Sequence, residues 1–245
     1  MNAASNHQTG TSIQAYARLA GVLFLISIIA GGFGEGWLPS RMIVSGDAAA
    51  TAANFRAHEL LFRFGFAGFL IESLCDTALS LVMYVLLRPV RKDIALAAAF
   101  FGLMATSTFA FSQVFHFAPL IILSGSNYLK TFTPDQLESL AYLSLRISSY
   151  AGMLFTAYYG VAWVLRGYLI VRSGYLPKLL GVLMGIGGLG FIARNFLLIL
   201  APAYAPFYLL ALLFPGGIAL TAWLLVKGVD LRKWGQTRIS EEIRV

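Results

Sequence analysis

Six long apolar segments, separated by short polar connections, dominate the hydrophobic pattern of the chain. A helix needs roughly 20 residues to cross a bilayer, and each of the six segments has at least that length. The pattern predicts an all-α membrane bundle of six transmembrane helices, with a polar N-terminal tail at residues 1–15 and a C-terminal tail at residues 229–245. The six spans of this bundle, which fill residues 16–228, are predicted at 16–38, 58–87, 94–123, 137–171, 179–200 and 204–227.

Residues that favour turns and helix ends mark the connections. Asp47 precedes an alanine-rich stretch at 48–53, which predicts a short interfacial helix with Asp47 as its N-cap. Pro89 ends the second span, because proline disfavours helix at the residue before it. Pro134 fits the first turn of the fourth span. The segment 173–177, which contains glycine and proline, separates the fourth span from the fifth.

Charge predicts the orientation of the bundle. Only 12% of the residues are charged, whereas a soluble domain has about 25%, and the formal net charge is +7. The positive-inside rule assigns the basic connections to the cytoplasm, so both termini are predicted inside. This surplus therefore does not indicate a nucleic-acid partner. Twelve of the eighteen basic residues fall on the predicted inner side: Arg18, Arg88, Arg91, Lys92, Arg166, Arg172, Lys178, Lys227, Arg232, Lys233, Arg238 and Arg244.

Motifs for cofactors, metals and covalent catalysis are weak in this sequence. Cys75 is the single cysteine, and the three histidines have no ligand spacing, so neither a metal site nor a cofactor is expected. The run Gly185–Gly190 matches a dinucleotide motif in letters but lies inside a predicted span, without the strand that the motif requires. Gly181 and Gly185 instead predict a small-residue face for helix packing.

Two acidic residues near the middle of the second span are the leading functional candidates. Charge at a bilayer centre costs about 2.5–3.5 kcal/mol, so residues such as Glu72 and Asp76 usually face a bundle interior. They are four residues apart and share one face of the helix. Two interpretations are open: one carboxyl holds a proton beside a functional cavity, or a basic residue on another helix neutralises the pair.

Further polar residues map to the outer half of the predicted bundle. We expect a polar cavity that opens outward and has Glu72 and Asp76 as its floor, or alternatively a closed ion-pair network that locks the helices. Glu59 and Arg63 are expected to form a local ion pair. At least two cross-helix ion pairs are predicted among Glu35, Glu59, Arg63, Arg146 and Arg194. The complete candidate set is Glu35, Glu59, Arg63, Glu72, Asp76, Gln113, His116, Arg146, Tyr150, Arg194 and Asn195.

Two glycine-containing segments predict irregular helix. Gly31–Gly36, which contains Glu35, indicates close packing or a loosened helix end. Pro215–Gly217 in the sixth span indicates either a broken helix of the kind that lines transporter sites or a simple proline kink.

Three segments carry a resemblance to a known family. They are Gly46–Asn54, Tyr84–Val90 and Gly174–Leu183. Together they resemble a bacterial family of small integral membrane proteins catalogued as a domain of unknown function, over roughly Tyr16 to Val226. The resemblance implies a multi-pass bundle in the bacterial cytoplasmic membrane. It implies no reaction and no catalytic residues.

Three classes of function are therefore expected for such a bundle. The first is binding or movement of a small or amphipathic molecule through the outward cavity, in which case transport would need a homo-oligomer because the helix count is small. The second is an enzyme acting on a lipid or isoprenoid-like substrate, with Glu72 or Asp76 as general acid. The third is a structural or regulatory membrane partner without a small-molecule site. The lipid bilayer is a partner in all three.

Overall fold

The structure is a computed structural model, and it describes residues 3–204 and 211–242. These residues are almost entirely helical and include no strand, which confirms the predicted all-α class. The helices are α1 (Ala3–Gly31), a π-helix (Gly32–Trp37), α2 (Leu38–Met42), α3 (Ala48–Ala57), α4 (Glu59–Leu87), α5 (Lys92–Ile122), α6 (Pro134–Ser173), α7 (Lys178–Leu200), α8 (Leu213–Val226) and α9 (Leu231–Glu242), with 3-10 turns at Asn127–Leu129 and Pro202–Tyr204.

Among the described residues, five segments are long and apolar enough to cross a membrane. They are Ser12–Met42, Glu59–Leu87, Lys92–Ile122, Pro134–Ser173 and Lys178–Leu200. A sixth is formed if Phe214–Val226 and Leu231–Ser240 are counted as one span bent by 104°. The predicted sixth span at 204–227 includes residues 205–210, which lie outside the described residues. The chain is therefore a multi-pass membrane protein by the length and composition of its helices.

Local sequence explains where the helices begin and end. Asp47 Oδ1 accepts a hydrogen bond from Ala50 N at 2.8 Å, so the predicted N-cap of α3 is confirmed. At α6, Thr133 Oγ1 accepts from Gln136 N, while Gln136 Oε1 accepts from Thr133 N. This reciprocal pair is a capping box, which satisfies two backbone donors at the start of the helix.

The described chain divides into two compact units. Unit 1 contains residues 1–25, 75–105 and 156–245, and unit 2 contains residues 26–74 and 106–155. Because long helices cross this division, α4 supplies residues 59–74 to unit 2 and residues 75–87 to unit 1.

Unit 1 is built around one apolar core. Phe24, Met83, Trp163, Met184 and Leu224 represent the helices that contribute to it, and all are at most 2% exposed. Since burying a large apolar side chain contributes about 1.5–3 kcal/mol, these contacts are the main source of the unit's stability.

Two aromatic side chains bond to the end of α4, and one of them, Trp234, belongs to α9. Tyr175 Oη and Trp234 Nε1 both donate hydrogen bonds to the Leu86 carbonyl, at 2.7 and 3.2 Å. Leu86 is near the C-terminal end of α4, where a carbonyl has no partner within the helix. Part of the predicted C-terminal tail is therefore a docked helix, α9, with Trp234 buried.

Glycines allow α6 and α7 to pack backbone against backbone. A Cβ atom at Gly188 would lie 2.5 Å from Gly160 O, and one at Gly181 would lie 2.5 Å from Gly167 O. The packing role predicted for Gly181 is thus present, and its partner is Gly167 of α6. A Cβ at Gly185 would meet open space, but the backbone N of Gly185 lies 2.8 Å from where a Cβ at Gly167 would be. Gly188, two turns after Gly181, is a further glycine of this face.

Pro215–Gly217 lies at the start of a described helix. Helix α8 begins at Leu213, which places Pro215 in its first turn, where a missing N–H interrupts no hydrogen bond. A Cβ at Gly216 would lie 3.0 Å from the backbone of Leu183 and Met184. Gly216 therefore allows α8 to pack closely on α7.

Unit 2 has a separate and smaller core. Leu38, Met42, Phe55, Phe62 and Leu145 are its buried members. The phenol of Tyr142 accepts a hydrogen bond from Gly46 N at 2.8 Å, and Arg56 forms an ion pair with Glu138 at 2.9 Å. These contacts fasten the connection containing α3 to α6.

Candidate functional site

The buried polar groups of unit 1 centre on Arg166. This side chain of α6 is 1% exposed, and its Nη2 donates to Ser80 Oγ of α4 at 3.0 Å. Its guanidinium also interacts electrostatically with Asp76, which is 4% exposed and lies one turn before Ser80. Arg166 therefore brings a basic residue of another helix into electrostatic contact with Asp76. Both interpretations of the Glu72 and Asp76 pair, protonated or neutralised, stay predictions.

Gly102 of α5 provides the room for this guanidinium. A Cβ at position 102 would lie 2.5 Å from Ser80 Oγ and 2.6 Å from Arg166 Nη2. The gap beside Arg166, bordered by Met83, Ala98 and Leu169, is too narrow to admit a water molecule. Arg166, Ser80 and Asp76 therefore form a buried polar cluster.

The placement of Arg166 corrects a sequence prediction. Arg166 was expected among the basic residues of the inner connections, but it lies inside α6 and is buried. The apolar residues on both sides of it, Trp163–Leu165 and Tyr168–Val171, are the signal that could have found it. The other inner basic residues still support the predicted orientation.

Two further candidates lie in unit 1. The amide Nδ2 of Asn195 donates to Thr156 Oγ1 and to Phe191 O, at 2.8 and 2.9 Å, and Oδ1 accepts from Thr156. Asn195 thus joins α7 to α6 with its polar atoms satisfied. Arg194 is half-buried, and its Nε has no hydrogen-bond partner among the described residues.

Glu72 lies in unit 2, against the point where α1 changes to a π-helix. It is 7% exposed, and a Cβ at Gly31 would lie 2.6 Å from Glu72 Oε1. The π-helix follows at once, over Gly32–Trp37, and includes Glu35, which is exposed. The loosened helix expected around Glu35 is therefore present. Short π-helical segments are frequent at functional sites, because their wider turns alter the backbone hydrogen bonding.

Gln113 and His116 are the other buried polar candidates of unit 2. Each is 9% exposed, and they lie one turn apart on α5. Gln113 Nε2 contacts Ser112 Oγ at 3.4 Å. Neither Gln113 Oε1 nor His116 Nε2 has a hydrogen-bond partner among the described residues. Buried polar atoms of this kind are rare in native proteins and call for an explanation.

Aromatic rings surround His116. The ring of Phe62 stacks on the imidazole with centroids 5.2 Å apart, and the ring of Phe69 meets it edge-on at 5.1 Å. Phe69 also contacts Phe109, whose ring is 5.0 Å from that of Phe155. The imidazole therefore lies against two aromatic rings of α4, and the aromatic contacts continue from there to α5 and α6.

The remaining candidates are on the surface of unit 2. Arg63 pairs with Glu59 on its own helix at 2.7 Å, which confirms that local ion pair, and both side chains are more than half exposed. The guanidinium of Arg146 lies over the ring of the exposed Tyr150, at 5.6 Å from its centroid. Each arginine thus contacts a residue four positions away on its own helix, because such neighbours on one helix face meet without any tertiary contact. The two cross-helix ion pairs expected among Glu35, Glu59, Arg63, Arg146 and Arg194 stay a prediction.

Comparison with known proteins gives a family but no activity. A family model described as "Domain of unknown function (DUF4386)" matches residues 19–228. The chain belongs to this family. No curated protein matches the sequence. No solved structure matches the fold. The resemblance drawn from the three sequence segments is thus confirmed at the level of the family.

Proposed function

We propose that this membrane protein binds a small or amphipathic molecule in unit 2, at Glu72, Gln113 and His116. The observation that carries the proposal is that Gln113 Oε1 and His116 Nε2 are buried without a partner among the described residues. A buried polar atom without a hydrogen bond costs about 1–3 kcal/mol. A ligand that bonds to both atoms would offset that cost.

The side chains define the chemistry of such a ligand. Gln113 Oε1 only accepts hydrogen bonds, so the ligand must present a donor to it, and His116 Nε2 accepts or donates according to its tautomer. The rings of Phe62 and Phe69 favour an apolar body next to this polar group. A molecule with a compact hydrogen-bonding head and an apolar remainder fits these requirements. Entry from the outer side follows from the predicted orientation.

The geometry favours binding over catalysis by a carboxyl acid. A general acid must release a proton to its substrate. Asp76 is buried and interacts electrostatically with Arg166, and the gap beside Arg166 is too narrow to admit water. Asp76 is therefore assigned a structural role as counter-ion, and Glu72 is assigned to the binding site.

Shape-conserving substitutions test this proposal. His116→Phe keeps an aromatic ring between Phe62 and Phe69, and Gln113→Leu keeps a side chain of similar size. Native mass spectrometry of each purified protein, released from mild detergent, would measure the molecules that remain bound. The matched control is Arg63→Gln, which removes an exposed charge from the same unit.

A bound molecule carried by the wild type and the control, and lost from both buried variants, would support the proposal. After the bound molecule has been removed from all four proteins, the buried variants should also unfold at the wild-type temperature or above it, because the substitutions remove Gln113 Oε1 and His116 Nε2, which have no partner among the described residues. Retention of the same molecules by all four proteins would overturn the assignment. So would a large loss of stability in Gln113→Leu, since it would mean that the amide serves packing within the protein.

A further inference from the structure

A basic cavity in unit 1 has no part in the proposed function. It has a volume of about 930 Å³ and lies where the turn between α4 and α5 meets the end of α6 and the outer turns of α9. Its charged lining consists of Arg91, Lys92, Asp93 and Arg172. Sites for small molecules typically have volumes of about 300–1,000 Å³, so this cavity is large enough for one.

The lining has an excess of positive charge. Three of the four charged lining residues are basic: Arg91, Lys92 and Arg172. Arg91 holds Asp93 in a two-point contact, with Nη2 and Nε at 2.6 and 3.0 Å from the carboxylate oxygens. Arg172 has no carboxylate partner among the described residues, and its guanidinium lies 5.8 Å from the ring centroid of Tyr168. The ring holds the planar guanidinium in place while its N–H donors stay available.

The remaining lining supports a ligand that is part polar and part apolar. Pro89, Val90 and Leu96 contribute apolar surface beside the basic groups. By the predicted orientation, the cavity lies at the cytoplasmic ends of the spans, at the depth of the lipid headgroups. That leaflet is anionic, and clusters of Lys and Arg at this level attract phosphate-bearing lipids.

We infer that this cavity binds an anionic phosphate group, with Arg172 and Lys92 as its principal contacts. Arginine suits the task because its fork of N–H donors matches phosphate oxygens in two-point contacts. The phosphate can belong to a phospholipid headgroup or to a soluble phosphate ester, and both sources offer the same chemistry to the lining. The inference is independent of the ligand proposed for unit 2.

A pair of charge-matched double variants tests the inference. Arg172→Gln with Lys92→Gln removes two positive charges from the cavity. Arg232→Gln with Lys178→Gln removes two exposed positive charges from the same predicted side, outside the cavity. Each full-length protein is placed in nanodiscs of phosphatidylcholine with increasing phosphatidylglycerol, and retained phosphatidylglycerol is counted by native mass spectrometry. In a second arm, glycerol 3-phosphate is titrated against the proteins in detergent and binding is followed by calorimetry.

The cavity variant should bind the phosphate-bearing probe about thirtyfold more weakly than the wild type. Each basic side chain near an anionic surface contributes about 1 kcal/mol, two are removed, and about 1.4 kcal/mol corresponds to a factor of ten in affinity. Retention of phosphatidylglycerol by the wild type and the outer control, but not by the cavity variant, assigns the phosphate to a lipid. The same pattern with glycerol 3-phosphate assigns it to a soluble ester. Equal losses in the two double variants, or no binding of either probe by the wild type, would overturn the inference. Circular dichroism verifies that each variant is folded.

Discussion

The contact between α6 and α7 leads to a sharp prediction for Gly188→Ala. The new Cβ would lie 2.5 Å from Gly160 O, which belongs to the backbone and cannot rotate away. The two helices must then separate by several tenths of an ångström. Overpacking of this kind costs about 1–3 kcal/mol. Alanine also has a higher helix propensity than glycine, by about 0.8–1 kcal/mol, which acts in the opposite direction.

Gly185→Ala separates these two effects. This residue lies on the same helix, one turn before Gly188, and a Cβ there meets open space. The control therefore gains the helix propensity without the steric cost. The free energies of unfolding of the two variants should differ by the cost of overpacking, about 1–3 kcal/mol. Equilibrium unfolding in mixed micelles of mild detergent and dodecyl sulfate measures both free energies. If Gly188→Ala proves as stable as Gly185→Ala, the close backbone contact is refuted.

Three further predictions follow from the buried groups and the topology. Arg166→Met should lower the free energy of unfolding by about 3–5 kcal/mol, because it leaves Asp76 buried without the guanidinium. Adding Asp76→Asn should recover much of that loss in thermal unfolding, and strictly additive losses would contradict the pairing. Glu72→Gln should keep the unfolding temperature, because the amide has the shape of the carboxyl, yet change the molecules retained in native mass spectrometry; a large loss of stability would show a structural role instead. A cysteine near Ser126 should react with a membrane-impermeant reagent from outside, and one near Arg91 should not; the reverse labelling would reject the orientation.

The unit 2 candidates show why the depth of a residue does not determine its contacts. Arg63 and Arg146 were placed with Glu35 in one depth band, and from that band cross-helix ion pairs were predicted. The contacts that the structure shows for both arginines are to a neighbour four residues away on the same helix, and their side chains are exposed. Depth comes from counting residues along a helix, whereas the direction of a side chain depends on how the helix is rotated against its neighbours.

Sequence by itself determined the features that depend on local chemistry. Asp47 and Thr133 cap helices through bonds to residues three positions away, so the pattern of residues is enough to predict them. The length of the apolar segments determined the membrane class, because a bilayer requires about 20 apolar residues in each helical span. The burial of Glu72 and Asp76 was likewise predictable, since exposing charge to lipid is costly.

Only the tertiary structure decided which distant residues meet. Ser80 and Arg166 are separated by 86 positions, and their hydrogen bond depends on the rotation of α4 against α6. Gly102 matters for that same contact, because the absence of a side chain there leaves room for the guanidinium. Gly31 likewise makes room for Glu72 where the π-helix begins. Such pairings follow from the packing of whole helices, which no short stretch of sequence encodes.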